Sequence, residues 1–337
     1  MDAEQPLPLS ACCCQNERCP DYGKKGWGNL YQHHWVDRQT KRIRHLRCRT
    51  CRRECAERKG TPWYRAHVTP EQGRAVAQHL AEGDGMRKTA RLVGGSRIPC
   101  CGGIAGSGST VRPCITSASS TCGCGRRKAT SCGPSWGNQE ARCDRADPAD
   151  EGKGSPWDHT VVETETKLAV SLVIGPRSQA NAEALWRACA QRTDHERPAL
   201  STTDEARVYA GAILTPYGLP TACSPTGKPG RPRQPRLVPL RALVYALGHK
   251  LQRKGRVVKV MIRRVFGTAR ALARALAQSA VSTHVNTSFV ERFNATGRQH
   301  NSRKARTVYT CSKDCEPHVA MSWFATSCDN CCRPHLG

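Results

Sequence analysis

The sequence predicts a multidomain protein of the mixed α+β and α/β classes, and three observations lead to that prediction. Closely spaced cysteine pairs occur within residues 1–66, and two short amphipathic segments separated by a Gly turn occur within residues 67–97. Residues 140–337 alternate between strand-like and helix-like periodicity. A chain of 337 residues is long enough for two or three domains with their own cores.

The net charge narrows the choice of partner. The chain has 53 Lys and Arg against 27 Asp and Glu, a formal charge of +26. Such a surplus favours nucleic acid, because contacts with phosphates release condensed counterions. A solvated basic surface, a ribosomal protein and a membrane-surface protein are the alternatives. No apolar run approaches the roughly 20 residues of a membrane span, and the start MDAEQPLPLS lacks a secretory signal, so we expect a cytoplasmic protein with no membrane partner.

The cysteines near the amino terminus predict a structural zinc site. Cys14 and Cys19 form a CxxxxC pair, Cys48 and Cys51 form a CxxC pair, and a basic, hairpin-like stretch separates them. Two thiolate pairs on tight turns can close a tetrahedral zinc site, which organises a domain too small to bury a core. Cys13 is an alternative to Cys14, and unligated surface cysteines are the alternative to a metal site.

Residues 67–97 resemble part of a helix-turn-helix. Thr69 and Pro70 suit the start of a first helix, and a second helix is expected to end at Gly94 and Gly95. A recognition helix would follow Ser96, but the sequence does not continue as one. Ala75, Val76 and Leu80 are expected on one face of the first helix, and the spacing of the apolar residues fits the second, which contains Met86, Ala90, Leu92 and Val93. The basic residues expected to contact DNA here are Arg74, Arg87, Lys88, Arg91 and Arg97.

The segment from Arg97 to Asn138 has no Leu, Phe, Tyr, Asp or Glu, and Gly, Ser, Thr, Cys and Pro dominate it. It follows neither periodicity, so it predicts no core element. Written with permitted codons, Ala129 through Asn138 reads in a shifted frame as Asp-Glu-Leu-Trp-Ser-Phe-Val-Gly-Lys. The same frame permits a helix start after Ser96 and an ordinary amphipathic sequence from Pro113 onward. We interpret residues 98–139 as a disordered, out-of-frame segment, and a flexible linker is the alternative.

The remaining chain has an ordinary pattern. Residues 157–175 predict two strands joined by a turn, residues 178–192 a helix, and residues 198–205 a strand ending in acid, followed by another helix. Residues 215–255 predict a basic, Pro-rich insertion. A strand or hairpin, a helix and a basic helix that begins near Asn286 or Thr287 complete the domain.

Several of these segments resemble bacterial insertion-sequence transposases of the DDE type, in the insertion-sequence-one group. The most specific are CRTC, GMRKTARLVG, TTDEARVYAGAIL and TSFVERFN. The resemblance implies a zinc ribbon over residues 1–66, a partial helix-turn-helix over 67–97 and a partial ribonuclease-H-like mixed sheet with helices over 140–337. It also implies two Asp and one Glu that hold two Mg²⁺ ions, which stabilise the attacking and leaving oxygens of phosphoryl displacement on DNA.

By position, Asp204 matches the second acid of that family and Glu291 the third, whereas the first Asp is absent in this frame. The strand that should carry it falls in the suspect segment, so we expect the first catalytic strand to be disrupted. The helix of Glu291 would present Arg298 to a phosphate. The basic residues expected on DNA in this region are Arg298, Arg303 and Lys304.

These expectations describe a DNA transposase by descent, a pseudogene copy that is inactive because it lacks one of three metal carboxylates. We expect double-stranded DNA as the partner, structural Zn²⁺, catalytic Mg²⁺ only in the intact family, and a homodimer. A non-catalytic, zinc-dependent DNA-binding remnant is the alternative. A redox or metal-storage role for the 21 cysteines is a third hypothesis.

Overall fold

The computed structural model describes residues 6–38, 41–59, 70–94, 126–132, 157–204, 207–222, 235–253, 256–304 and 315–334. In these ranges the protein is mixed α/β, with seven α-helices, eleven strands and three sheets. None of the helices described is long and apolar enough to cross a membrane.

The first sheet belongs to the amino-terminal region and has three antiparallel strands. Strands β1 (Leu30–Arg38) and β2 (Lys41–Cys48) form the hairpin predicted between the cysteine pairs, and β3 (Glu54–Ala56) pairs with β2. Leu30 and Leu46 are its buried aliphatic residues, and they pack among cysteine side chains. So small a core needs a metal or another crosslink to hold it.

Helices α1 (Pro70–Ala81) and α2 (Met86–Leu92) confirm the two short helices predicted. Val76 and Leu80 of the first helix are buried as expected, whereas Leu92 of the second is 55% exposed. The buried face of this helix pair packs against Met321 and Phe324, far along the chain. The expected recognition helix lies outside the described residues.

The six strands of the main sheet are β4 (Arg126–Cys132), β5 (Trp157–Glu163), β6 (Ala169–Gly175), β7 (Leu200–Thr203), β10 (Tyr245–Arg253) and β11 (Arg256–Phe266). They lie in the order β11-β10-β7-β4-β5-β6. β4 runs parallel to β7 and antiparallel to β5, β7 runs parallel to β10, and β6 and β11 are the antiparallel edge strands.

Strand β4 corrects one expectation from the sequence. Residues 98–139 were expected to supply no element, yet Arg126–Cys132 forms a strand between β5 and β7. The reason is that both neighbours present backbone N–H and C=O groups that need partners, and an extended segment satisfies them whatever its side chains. The other residues of 98–139 lie outside the described part of the chain.

Helices cover both faces of the main sheet. α3 (Gln179–Arg192) and α4 (Val208–Tyr217) pack around Trp186 and Tyr209 in the largest core. Val173 of β6 faces that core, whereas its neighbours Leu172 and Ile174 pack against Trp323 on the other side, as the alternation of a strand requires. The other helices are α5 (Ala269–Ala277), α6 (Ser288–Gln299) and α7 (Cys315–Cys332).

The region predicted as a basic insertion, residues 215–255, is only partly separate from the sheet. β8 (Gly218–Thr221) and β9 (Arg236–Pro239) form a small two-stranded sheet. Tyr245–Arg253, however, is strand β10 of the main sheet, so the predicted insertion extends too far. Its buried residues Tyr245 and Ala246 take part in the core, which an insertion would not do.

Candidate functional site

Four cysteine side chains from two turns meet at one end of the amino-terminal sheet. The Sγ atoms of Cys14, Cys19, Cys48 and Cys51 all lie within 4.8 Å of one another. Cys14 Sγ is 3.7 Å from Cys51 Sγ, and Cys19 Sγ is 3.9 Å from Cys48 Sγ. Because tetrahedral zinc binds sulfur at about 2.3 Å, its ligand sulfurs should lie about 3.8 Å apart. The four residues therefore fit zinc.

The local backbone structure determines the position of the second pair of thiols, Cys48 and Cys51. Cys48 ends β2, and its carbonyl accepts a hydrogen bond from the amide of Arg52, which adopts a positive φ of 60°. This turn brings Cys51 back beside Cys48. On the first pair, the Asp21 amide donates a hydrogen bond to Cys19 Sγ at 3.4 Å, the backbone support that a bound thiolate needs.

The protein environment shifts the pKa values of Cys14, Cys19 and Cys51 in different directions. Burial raises the pKa values of Cys14 and Cys19. For Cys51 burial also opposes ionisation, but hydrogen bonds from the Arg53 amide, the Asn16 side chain and the neighbouring thiols outweigh it and lower the pKa to about 6. Of these three thiols, Cys51 is the one that is ionised near neutral pH.

The other nearby cysteines are not part of the cluster. Cys13, the alternative to Cys14, accepts a hydrogen bond from Gln15 Nε2 at 3.1 Å and lies outside the four-sulfur group. Cys12 and Cys55 pack in the same small core, where burial raises their pKa values. The structure therefore selects Cys14 over Cys13.

The predicted DNA-contacting residues of α1 and α2 are on the surface. Their side chains Arg74, Arg87, Lys88 and Arg91 are exposed. Lys88 Nζ lies 2.6 Å from Oδ1 of the partly buried Asp84, while the Lys88 side chain itself is 59% exposed. Arg97 lies outside the described residues.

The predicted DNA-contacting residues of α6 and of the segment after it are partly or largely buried instead. Lys304 is 11% exposed, and its ammonium group pairs with the fully buried carboxylate of Asp158, so its assignment as a phosphate contact was wrong. Arg303 is half-buried, and its Nη2 lies 3.4 Å from the sulfur of Met86 in α2. Arg298 is half-buried in α6. Sequence spacing could not show that this segment runs back against α2 and β5.

Asp158 is the centre of a buried polar cluster that the sequence analysis missed. His318 Nε2 donates to Asp158 Oδ1 at 3.2 Å, and the Ser322 hydroxyl lies 3.5 Å from Oδ2. Burial raises the pKa of Asp158, but the charge of Lys304 and the hydrogen bond from His318 outweigh it and hold the pKa at about 2. The signal in the sequence was an acid inside the predicted strand WDHTVVE, since an ionised carboxylate in a core strand needs partners.

The two candidate metal carboxylates lie at the carboxyl end of the inner strand β7 and in the first turn of helix α6. Asp204 follows the last residue of β7, and Nη2 of Arg177 lies 3.5 Å from its Oδ2. The guanidinium of Arg177 also stacks on the ring of Trp157 at 4.7 Å. Glu291 is exposed in the first turn of α6, where its Oε1 accepts a hydrogen bond from the Thr287 hydroxyl at 2.6 Å.

The site does not assemble three carboxylates in the part of the chain that the structure describes. α6 packs against β4 and β5, but no group of three metal-ligating side chains there includes Asp204 or Glu291. The other group besides the four cysteines is His33, His34 and Glu54, exposed on the amino-terminal sheet. The residues described thus fit structural zinc and do not fit a two-Mg²⁺ centre. No protein-family model and no curated protein matches this chain.

Proposed function

We propose that this protein is a zinc-dependent DNA-binding protein that descends from an insertion-sequence transposase of the DDE type and has lost strand-transfer chemistry. The strand order supports the descent. In a ribonuclease-H-like sheet, the first strand lies between the second strand and the strand that ends in the second acid. β4 holds that place, with β5 on one side and β7, followed by Asp204, on the other.

The observation that supports the loss of chemistry is the register of β4 against β7. Ala129 pairs with Thr203, so Asp204 lies level with Thr130, one residue further along β4. Strand β4 reads RRKATSC and contains no acid. In the shifted frame that permitted codons allow, an Asp codon spans the last base of codon 129 and the first two of codon 130. The missing carboxylate would therefore stand beside Asp204, where the family needs it.

The surroundings of Asp204 agree with a site that no longer binds catalytic metal. Arg177 is a cation next to the carboxylate, and it reduces the local negative charge that attracts a divalent ion. In-line phosphoryl displacement by two ions requires carboxylates that fix both ions. Asp204 and Glu291 alone supply too few, so this chain's residues support binding of DNA rather than its cleavage.

The DNA-binding part of the proposal depends on the charge and the amino-terminal domain. The formal charge of +26 favours a polyanion, and the exposed arginines and lysine of α1 and α2 are available to phosphates. The four cysteines give the first sheet the crosslink that its small core requires. Zinc, when bound, supplies structure and no reaction chemistry.

The test is a fluorescence anisotropy titration of the full chain on a mixed-sequence duplex of about 30 base pairs, roughly three helical turns. We expect binding that weakens steeply with salt and that falls when Cys51→Ser removes a zinc ligand, with Cys13→Ser as the matched control. Adding Mg²⁺ should give no cleaved or joined DNA. Equal binding by both variants would overturn zinc dependence, and joined products would favour an active transposase.

A further inference from the structure

Strands β10 and β11 continue past the main sheet as a two-stranded ribbon. β10 pairs with β7 only through Tyr245–Leu247, whereas its pairing with β11 continues to Arg253 and Arg256. At a rise of about 3.3 Å per residue, the six residues after Leu247 extend about 20 Å beyond the sheet. We call residues 248–264 the arm; the structure describes all of them except 254 and 255, and Arg263 and Arg264 lie at its base, opposite Leu247 and Ala246.

The arm is basic along its whole length. It contains no Asp or Glu, and its basic residues are Lys250, Arg253, Lys254, Arg256, Lys259, Arg263 and Arg264. Arg253, Lys259, Arg263 and Arg264 are exposed. Seven positive charges on so short a ribbon repel one another unless a polyanion is bound.

The arm also exposes large apolar side chains on both of its faces. Val260 and Ile262, on one face, are 54% and 51% exposed, and Met261, on the other, is 40% exposed. The strand pairing sets these faces, because Met261 lies opposite His249 and Val260 opposite Lys250. Exposed β-branched residues on a ribbon promote aggregation when nothing covers them. They therefore indicate that a binding partner covers this surface.

Charge decides which occupant fits. A second copy of the arm would bring seven more positive charges against the first seven, and lysines on edge strands oppose such pairing. Duplex DNA offers the opposite charge. Its major groove is about 12 Å wide and admits a two-stranded β-ribbon, and thymine methyl groups there make contacts with apolar side chains.

We propose that the arm is a second DNA-binding element, which lies in the major groove of duplex DNA independently of the zinc-bound domain. This proposal rests on the proposed function only in that it requires the protein to bind DNA. Lys259 and Arg263 share the face of Met261 and contact phosphates at the groove edges. Binding by the arm would add to the DNA affinity of the chain through the main sheet, which is distant in sequence from the cysteine cluster.

The experiment uses the full chain with a photoreactive diazirine analogue of Met at position 261, mixed with the same duplex and irradiated. The matched control carries the analogue at Val281, an apolar residue outside the arm that is 36% exposed. We expect crosslinks to DNA from position 261 and far fewer from position 281. Crosslinks from position 261 to a second chain would overturn the proposal that the arm binds DNA, and so would an absence of crosslinks while the chain binds DNA. Either result would leave the proposed function intact.

A charge comparison gives the second readout. Lys259→Gln with Arg263→Gln should reduce the slope of log affinity against log salt by about two, since each lost phosphate contact removes about 0.9. Arg270→Gln with Arg274→Gln makes the same change in net charge on the exposed side of α5 and should leave the slope unchanged. Equal slopes for the two variants would overturn the proposal that the arm contacts DNA. A full chain that binds no duplex would overturn both this proposal and the proposed function.

Discussion

Asp158 in β5 and His318 in α7 lie 160 residues apart in the sequence, yet Nε2 of His318 is 3.2 Å from Oδ1 of Asp158 inside the protein. The other carboxylate oxygen of Asp158 contacts the ammonium group of Lys304, in the segment after α6. One buried carboxylate thus connects a strand of the main sheet both to α7 and to the segment that follows α6. These contacts place α7 against the sheet even though its sequence has little helical apolar periodicity.

Replacing Asp158 with Asn should strongly destabilise the main sheet. The change leaves the charge of Lys304 almost fully buried without its counterion, and breaking a buried pair from one side costs about 3–5 kcal/mol. Chemical denaturation followed by tryptophan fluorescence measures the loss. Asp37→Asn is the control, because the Asp37 and Arg42 side chains are 79% and 67% exposed and their pair should contribute less than about 1 kcal/mol. Equal stability of the two variants would contradict the buried contact.

The pKa of Asp158 predicts an acid-sensitive contribution to stability. Its folded pKa, about 2, is below its ordinary value of 3.8, so the folded state binds the proton less readily than the unfolded state. The stabilisation is therefore complete above pH 3.8 and is lost as the pH falls towards 2. The difference in unfolding free energy between wild type and Asp158→Asn should shrink across that interval. A difference that stays constant from pH 5 to pH 2 would contradict the assignment.

Removing one thiol of the cysteine cluster should abolish zinc binding. Cys14→Ser leaves three ligands, and structural zinc sites require four, so the first sheet should unfold because Leu30 and Leu46 are too few to hold it. Metal analysis of the purified chain measures the zinc content. The Cys13→Ser variant should keep one zinc per chain, and zinc loss in that variant alone would show that Cys13 is the ligand instead.

The sequence predicted elements well where side chains alone determine the structure. The spacing of Cys48 and Cys51 located a turn that the structure confirms, and Pro70 located the start of α1. It failed for β4, because that strand depends on the backbone groups of its neighbours rather than on its own residues. It missed α7 for a related reason: His318 and Ser322 are buried in contacts with Asp158, which no periodicity reveals.

The turn between α1 and α2 should tolerate no side chain at Gly83. Its φ is +90°, and a Cβ atom would lie 2.7 Å from the carbonyl oxygen of Gln299 at the end of α6. Gly94 has a similar φ of +81° with nothing within 4 Å, so Gly94→Ala carries only the backbone cost of about 1–2 kcal/mol. Thermal melting should therefore show a larger loss for Gly83→Ala. Equal losses would indicate that α1 and α2 do not pack against α6.

An acid introduced into β4 should increase divalent-ion binding beside Asp204. Thr130 lies level with Asp204, so Thr130→Asp would place a second carboxylate at the edge of the sheet. We expect Mn²⁺ affinity, measured by calorimetry, to rise at least about tenfold, since adjacent carboxylates attract hard cations. Thr130→Asn keeps the shape without the charge and should not change the affinity. Equal affinities for the two variants would show that β4 and Asp204 are not in this register.

Sequencing the gene across codons 95–140 would decide whether a shift of reading frame removed an acid-bearing strand from this protein. We expect the nucleotides, translated in the shifted frame, to encode Asp-Glu-Leu-Trp-Ser-Phe-Val-Gly at codons 129–137. Nucleotides that cannot encode an acid-bearing strand there in any frame would contradict this expectation.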